Sequence, residues 1–577
     1  MIATTSHEQS VSVSSDARLK LLSLVLAVVA AFVLFSHFGE SAAVWPATDN
    51  LPAVCRLLDT ACLKGDFFTD ASASLNPRNP IAYVLMTLSK LSGGGAQGGL
   101  SVLNTLVLVL LPIVSTVFIW AAIKTHLSPG TNAHSDRLKE TLALVFAPLL
   151  FVALAGGVGD AFLIAGWYPV RLIATAQDFS LMLSLAGVLL IWQRRVIAGP
   201  FLIFVAGIFH PVMALYTVVF STIVLSRWKI AQDMRYCAGL LAALAAAVFV
   251  KVTFAVSTPI DTQTFVDIYV KERHPHHYLP SEYGASGNAD WVVSFALLIA
   301  ALAIVAVLLV RMKNRAWRNT LIAALSYAGA IAAQYVLVEL YPIKSIAALG
   351  PARYSMFGLW FLMIFGAVAL IETAMRDLRQ KNAEHKLIGF SDQLLRRVGS
   401  LSWAVVSVPF VLLAMAAAYN VSVSSHFDSD TDGFEEVIAF AGNETGKDDV
   451  FILPANSPGI EFRLAADRAV FVGKAFPFSE DHFVEWMERF ASVYGTSSSL
   501  ASYPGLMIWG KQASLYRSHT PGSFVRFADQ RKIDWVVIEK DFSTKFENCK
   551  PSFVNETYLL YAIENLKTCR QDHVASQ

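Results

Sequence analysis

The sequence predicts a polytopic α-helical membrane protein of about eleven spans that carries a small C-terminal α/β domain. Three observations predict it. Of 577 residues, 55% are hydrophobic and only 15% charged, whereas soluble domains run near a quarter charged. The apolar residues fall into runs near the roughly 20 residues that a spanning helix needs. From about residue 420 the hydropathy drops and strand-like segments begin to alternate with helical ones. The formal net charge of +1 gives no basis for nucleic-acid binding.

Residues 1–17 are polar, lack an apolar core and are expected to form a disordered tail. Arg18 and Lys20 then precede an apolar run with no clean small-residue cleavage site after it, so it is read as a retained first span. Apolar runs lie at 18–38, 101–123, 141–158, 176–192, 197–209, 211–226, 236–256, 290–311, 319–338, 355–373 and 399–419. The runs on either side of His210-Pro211 are short, which fits two spans meeting at a turn or one kinked helix. Lys and Arg concentrate in cytoplasmic loops, and this bias chooses between the two. With the N-terminus inside and two spans at His210, loops 124–139, 194–195, 227–235, 311–318 and 376–397 are all inner and all basic. A single span would place Arg311, Lys313, Arg315 and Arg318 outside. The domains expected are therefore the tail 1–17, a transmembrane domain 18–419 with a long first periplasmic loop 39–100, and a periplasmic domain 420–577.

Cys55 and Cys62 fall in that first loop, and Cys549 and Cys569 in the C-terminal domain, which fits two disulfides on the oxidising side. Cys237 stands alone at an inner helix end. In the C-terminal domain, 448–453, 469–474, 533–539 and 558–563 read as strands, and 480–494 has helical spacing, with Phe483, Trp486, Met487 and Phe490 on one face. A mostly parallel sheet follows from that alternation. No phosphate-binding glycine loop occurs there, so a lid or acceptor platform is the expected role.

The first loop holds the densest set of acids, including Asp49, Asp66 and Asp70. A carboxylate there fits a general base that takes a proton from an acceptor hydroxyl, and the plain alternative is solvated loop charge. Asp66 and Asp49 stand out because aromatic neighbours could shield them. Cations in outer loops run against the charge bias. Arg171, Arg273, Lys344 and Arg353, with His276, His277 and Tyr278, could converge on a lipid-linked phosphate; the alternative is snorkelling to headgroups. Adjacent histidines rarely face one ion, and no Cys or carboxylate partner is obvious, so no metal site is expected. The cofactor is left unknown: a divalent metal fits the chemistry, but no residue pattern indicates one.

The 171–210 region leading into HPVMALY, the RHPHHY segment at 273–278, FRLAADRAVFVGKAFPF from 462 and EWMER ending at 489 complete the pattern. With a basic anchor, a long acidic first loop, many spans and a terminal soluble domain, the chain resembles the GT-C class of membrane glycosyltransferases. It looks closest to an uncharacterised bacterial membrane family of that shape. The resemblance implies a bacterial inner-membrane enzyme that moves a sugar from a polyprenyl-phosphate donor to an envelope acceptor. It implies a catalytic acid in the first loop, at Asp49 or Asp66. The Asp-Glu or Glu-x-Asp pair of many GT-C members is absent from that loop. The competing readings are a polymerase or ligase of surface polysaccharide, whose large outer loop usually lies mid-chain, and a non-enzymatic scaffold or transporter. Transporters tend to show internal repeats and mid-membrane charges, and neither stands out here.

Overall fold

A computed structural model describes residues 49–130, 133–155, 164–165, 175–226, 234–254, 259–286, 291–380, 433–496 and 508–575. The tail 1–17 and the expected spans 18–38 and 399–419 lie outside these. Among the described residues, six helices are long and apolar enough to cross a membrane: Gly95–His126, Ser135–Ala155, Met234–Phe254, Trp291–Arg311, Ala316–Leu340 and Lys344–Arg376. Three more apolar helices, Ala176–Trp192, Ala198–Phe209 and Pro211–Leu225, are shorter. The structure thus has six helices fit to cross a membrane and a small C-terminal α/β unit; of the eleven runs expected, three are the shorter apolar helices and two lie outside the described residues.

The three short helices fall on the expected runs 176–192, 197–209 and 211–226. Ala176–Trp192 and Ala198–Phe209 pack glycine to glycine: a Cβ on Gly187 would come within 2.8 Å of the Gly199 carbonyl, and one on Gly199 within 2.7 Å of that of Gly187. Such close backbone approach is how small residues join helices in lipid. At His210 the chain breaks into two helices. Pro211 opens the second at a position where its missing N–H costs nothing, and His210 Nδ1 accepts the Met213 N–H at 3.1 Å as the cap. The body's core is aromatic, with Phe220 stacked on Phe357 at 4.3 Å and edge-on to Trp360.

The loops gather at two ends. At one, Lys139 pairs with Glu372 at 3.1 Å, while Asn314 donates to the His126 carbonyl. At the other, the 49–94 segment, the 259–286 segment and residues 341–356 meet the C-terminal domain. There Lys344 binds Glu480 at 2.6 Å and the Ile260 carbonyl at 2.7 Å.

The C-terminal domain holds five strands, β1 (Val450–Ile452), β2 (Ala469–Val470), β3 (Trp535–Glu539), β4 (Phe553–Val554) and β5 (Tyr558–Ala562), in the order β2-β1-β3-β5-β4. β1 pairs parallel with both β2 and β3, whereas β5 runs antiparallel to β3 and β4. The expectation of a mostly parallel sheet is corrected to a mixed one. After β3 a 3-10 helical segment, Lys540–Phe546, leads to β4, and a short turn folds β5 back as a hairpin into the place between β4 and β3, where a hairpin partner runs antiparallel. Disulfides join Cys55 to Cys62 and Cys549 to Cys569, and Cys237 is free.

One buried ion pair fastens the first-loop segment to this domain. Asp66 caps the helix Phe67–Ala73 by accepting the Thr69 N–H at 2.8 Å. Its other oxygen accepts from Arg463 Nε and from the Val470 N–H, both at 2.8 Å. The side chains are 0% and 1% exposed. Removing one partner of a buried pair strands the other charge and typically costs about 3–5 kcal/mol, whereas an exposed pair is worth about 1 kcal/mol or less. Asp66→Asn or Arg463→Met should therefore lower the unfolding temperature of the full-length protein in detergent far more than Asp70→Asn, which loses only the exposed pair with Arg56. Equal losses in the three variants would remove the fastening role.

Candidate functional site

Between the two bodies lies a cavity of about 400 Å³, within the range of small-molecule sites. The 259–286 segment builds one wall. Its helix Thr262–Phe265 runs into a π-helical stretch, Val266–Arg273, a local widening often found at functional sites. The stretch ends by delivering Arg273 and His274, and the turn Pro275–Tyr278 adds His276 and His277. The C-terminal domain builds the facing wall from the segments that leave β1 and β2, bringing Ser457, Glu461 and Lys474. Asp49 joins them from the first-loop segment, immediately ahead of the helix Leu51–Leu58.

The histidines are held by backbone carbonyls. His274 Nδ1 donates to the Tyr269 carbonyl at 3.2 Å, and His277 Nδ1 to that of Ala165 at 2.5 Å. The His276 and His277 rings lie 4.0 Å apart. Burial, reinforced by the Arg273 charge, pushes His276 down to about 4. Burial and the same charge lower His274 well below the usual imidazole value, so both rings act as neutral hydrogen-bonding groups near pH 7. Arg273 is a half-buried cation whose buried Nε has no hydrogen-bond partner among the described residues. Burial brings Lys474 down to about 8, with Arg273 adding to the shift.

Asp49 is the exceptional acid. Burial raises its carboxyl to about 6 against the opposing pull of Arg273, Arg78 and Arg463, while Glu461 pushes the same way as burial. Such a value suits a base working near neutrality. Arg78, which precedes the helix Asn79–Ser92, lies over the Phe478 ring at 5.3 Å and in electrostatic reach of Asp49 and Arg353. Arg353 donates to the Tyr278 hydroxyl, which in turn meets the Tyr269 hydroxyl at 3.3 Å.

The structure divides the residues expected from sequence. Asp49, Arg273, His276 and His277 share the cavity wall, with Tyr278 and Arg353 beside them. Asp66 does not join them as expected for a base: its oxygens are occupied by Arg463, Val470 and Thr69. Asp70 faces solvent and pairs with Arg56 at 2.7 Å. Lys344 is a strut to Glu480 rather than a cavity group. Arg171 lies outside the described residues. Sequence reasoning missed Glu461 and Lys474, and it held Arg78 only as a first-loop cation and His274 only as part of the RHPHHY run. Arg78 carried the one available signal, a cation in an acidic loop. Among the described residues, no three His, Cys, Asp or Glu side chains cluster as a metal would need.

A family described as a domain of unknown function (DUF6798) matches residues 432–493. That span carries β1, β2, Glu461, Arg463 and Lys474. No curated protein matches the chain.

The raised Asp49 value has a consequence for stability. A carboxyl whose folded value lies above its usual 3.8 favours the fold in its neutral form. That contribution is complete below about pH 3.8 and is lost as the pH rises through about 6. Asp49→Asn, which cannot ionise, should unfold at a higher temperature than wild type at pH 7.5 and at the same temperature near pH 4. Thermal unfolding of both proteins across that range checks it, and curves that coincide at every pH would contradict a strained Asp49 carboxylate.

Proposed function

We propose that the chain is a membrane glycosyltransferase that moves a sugar from a polyprenyl-phosphate donor to an envelope acceptor, in the manner of the GT-C class. One observation carries the reading: a carboxyl poised near pH 6, Asp49, shares a cavity with Arg273 and the histidines 274, 276 and 277. Acid and cations together are what transfer away from a phosphate requires. The Asp49 carboxylate takes the proton of an acceptor hydroxyl while that oxygen bonds to the anomeric carbon. The bond from that carbon to the phosphate oxygen breaks, and its electron pair leaves on the phosphate. Arg273 stabilises this developing charge, while the neutral His274 and His277, whose single ring N–H is held by a backbone carbonyl, keep the wall uncharged beside it. Attack opposite the leaving group inverts the sugar. The two disulfides favour an oxidising, periplasmic face for this end of the molecule.

The rate in membranes supplied with a polyprenyl-linked sugar should fall as pH drops through about 6, because protonated Asp49 cannot act as base. Asp49→Asn should lower the rate by roughly a hundred- to ten-thousand-fold while the protein stays folded. Full transfer by folded Asp49→Asn would place the base elsewhere.

A further inference from the structure

The C-terminal wall of the cavity differs chemically from the wall that faces it. The membrane-side wall presents the Arg273 guanidinium, suited to an anion, beside three histidines. The opposite wall presents a carboxylate, Glu461, with the Ser457 hydroxyl and Lys474 beside it. A carboxylate is a poor neighbour for a phosphate but a strong acceptor for hydroxyl groups, because hydrogen bonds to an ionised acceptor are short and roughly twice as strong as neutral ones. Glu461 makes no ion pair within 4 Å among the described residues; the nearby Arg463 is taken by Asp66.

The place of this wall in the fold is equally informative. The segment after β1 runs from Leu453 to the helix Gly459–Ala466, and the segment after β2 carries Val472 to Lys474. Both leave the carboxyl ends of parallel strands, the edge at which open α/β sheets bind their ligands. Tyr494 holds the two segments together, its hydroxyl donating to the Leu453 carbonyl at 2.8 Å while its ring lines the cavity. Ser457 is fixed by donating to the Pro454 carbonyl at 2.7 Å, which leaves its oxygen as an acceptor.

We infer that Glu461, Ser457 and Lys474 form a subsite on the C-terminal domain for a sugar ring of the acceptor, with the Glu461 carboxylate accepting hydrogen bonds from its hydroxyls. This rests on the glycosyltransferase reading for the ring's role as acceptor. Asp49 stands in electrostatic reach of both Arg273 and Glu461. It is therefore suited to take a proton from a sugar held on one wall while a phosphate departs toward the other.

Saturation-transfer NMR on the full-length protein, in a detergent without a sugar headgroup, tests the subsite. The probes are N-acetylglucosamine and the methyl glycosides of glucose, galactose and mannose. At least one should bind wild type and weaken roughly ten- to hundred-fold in Glu461→Ala, the loss expected for a hydrogen bond to a charged group. Glu461→Gln, of the same shape, should show a smaller loss and guards against a folding defect in the alanine variant. Failure of all four sugars to bind wild type, or equal binding in both folded variants, would overturn the subsite. Undecaprenyl phosphate binding to wild type is measured separately. Sugar binding without lipid binding would overturn the donor reading and leave the subsite standing, whereas lipid binding without sugar binding would do the reverse.

Discussion

The buried Asp66–Arg463 pair is the interaction on which the rest of the arrangement depends. Asp66 precedes a helix of the first-loop segment, and Arg463 sits on the helix that follows β1. Their contact, sealed from solvent, sets the C-terminal domain against the membrane body. The Val470 N–H completes the join by donating from β2 itself. Burying two charges is costly unless their remaining hydrogen-bonding capacity is filled. It is filled here: Thr69 bonds the second Asp66 oxygen, and Arg463 also reaches the Gly459 and Val470 carbonyls. Aromatic contacts extend the seam, with Arg489 over Phe67 at 4.5 Å and Arg78 over Phe478 at 5.3 Å.

The cavity exists because of that seam. Its two walls come from segments almost two hundred residues apart in sequence, and Asp49 enters from a third. None of the three alone encloses space. The domain is thus a structural half of the site, and a loose lid does not describe it. The same enclosure raises the Asp49 carboxyl by removing water. What destabilises that carboxylate in the fold also raises its basicity, and the proposed catalytic role would draw on that trade between stability and function.

Much of the fold was legible in the sequence. Apolar runs marked the helices, and period and composition marked β1, β3 and β5 close to their observed bounds. Cysteine positions gave both disulfides. The break at His210-Pro211 was legible too, because Pro211 cannot continue the helix that precedes it. Within the site, Asp49, Arg273, His276 and His277 were marked by being charged or polar in unexpected loops. Asp66 looked equally suitable because its partner lies 397 residues away. Local sequence cannot distinguish a carboxylate open to a ligand from one that a distant arginine will occupy. Glu461 and Lys474 were illegible for a related reason: they look like ordinary surface charges until the distant 259–286 segment packs opposite them.

The most direct measurement is an electron cryomicroscopy map of the full-length protein incubated with a polyprenyl phosphate. The composite-site reading predicts phosphate density within hydrogen-bonding distance of Arg273, with Asp49 beside it and the C-terminal domain seated through Asp66 and Arg463. Phosphate density elsewhere with this cavity empty, or a C-terminal domain detached from the first loop while the lipid is bound, would contradict it.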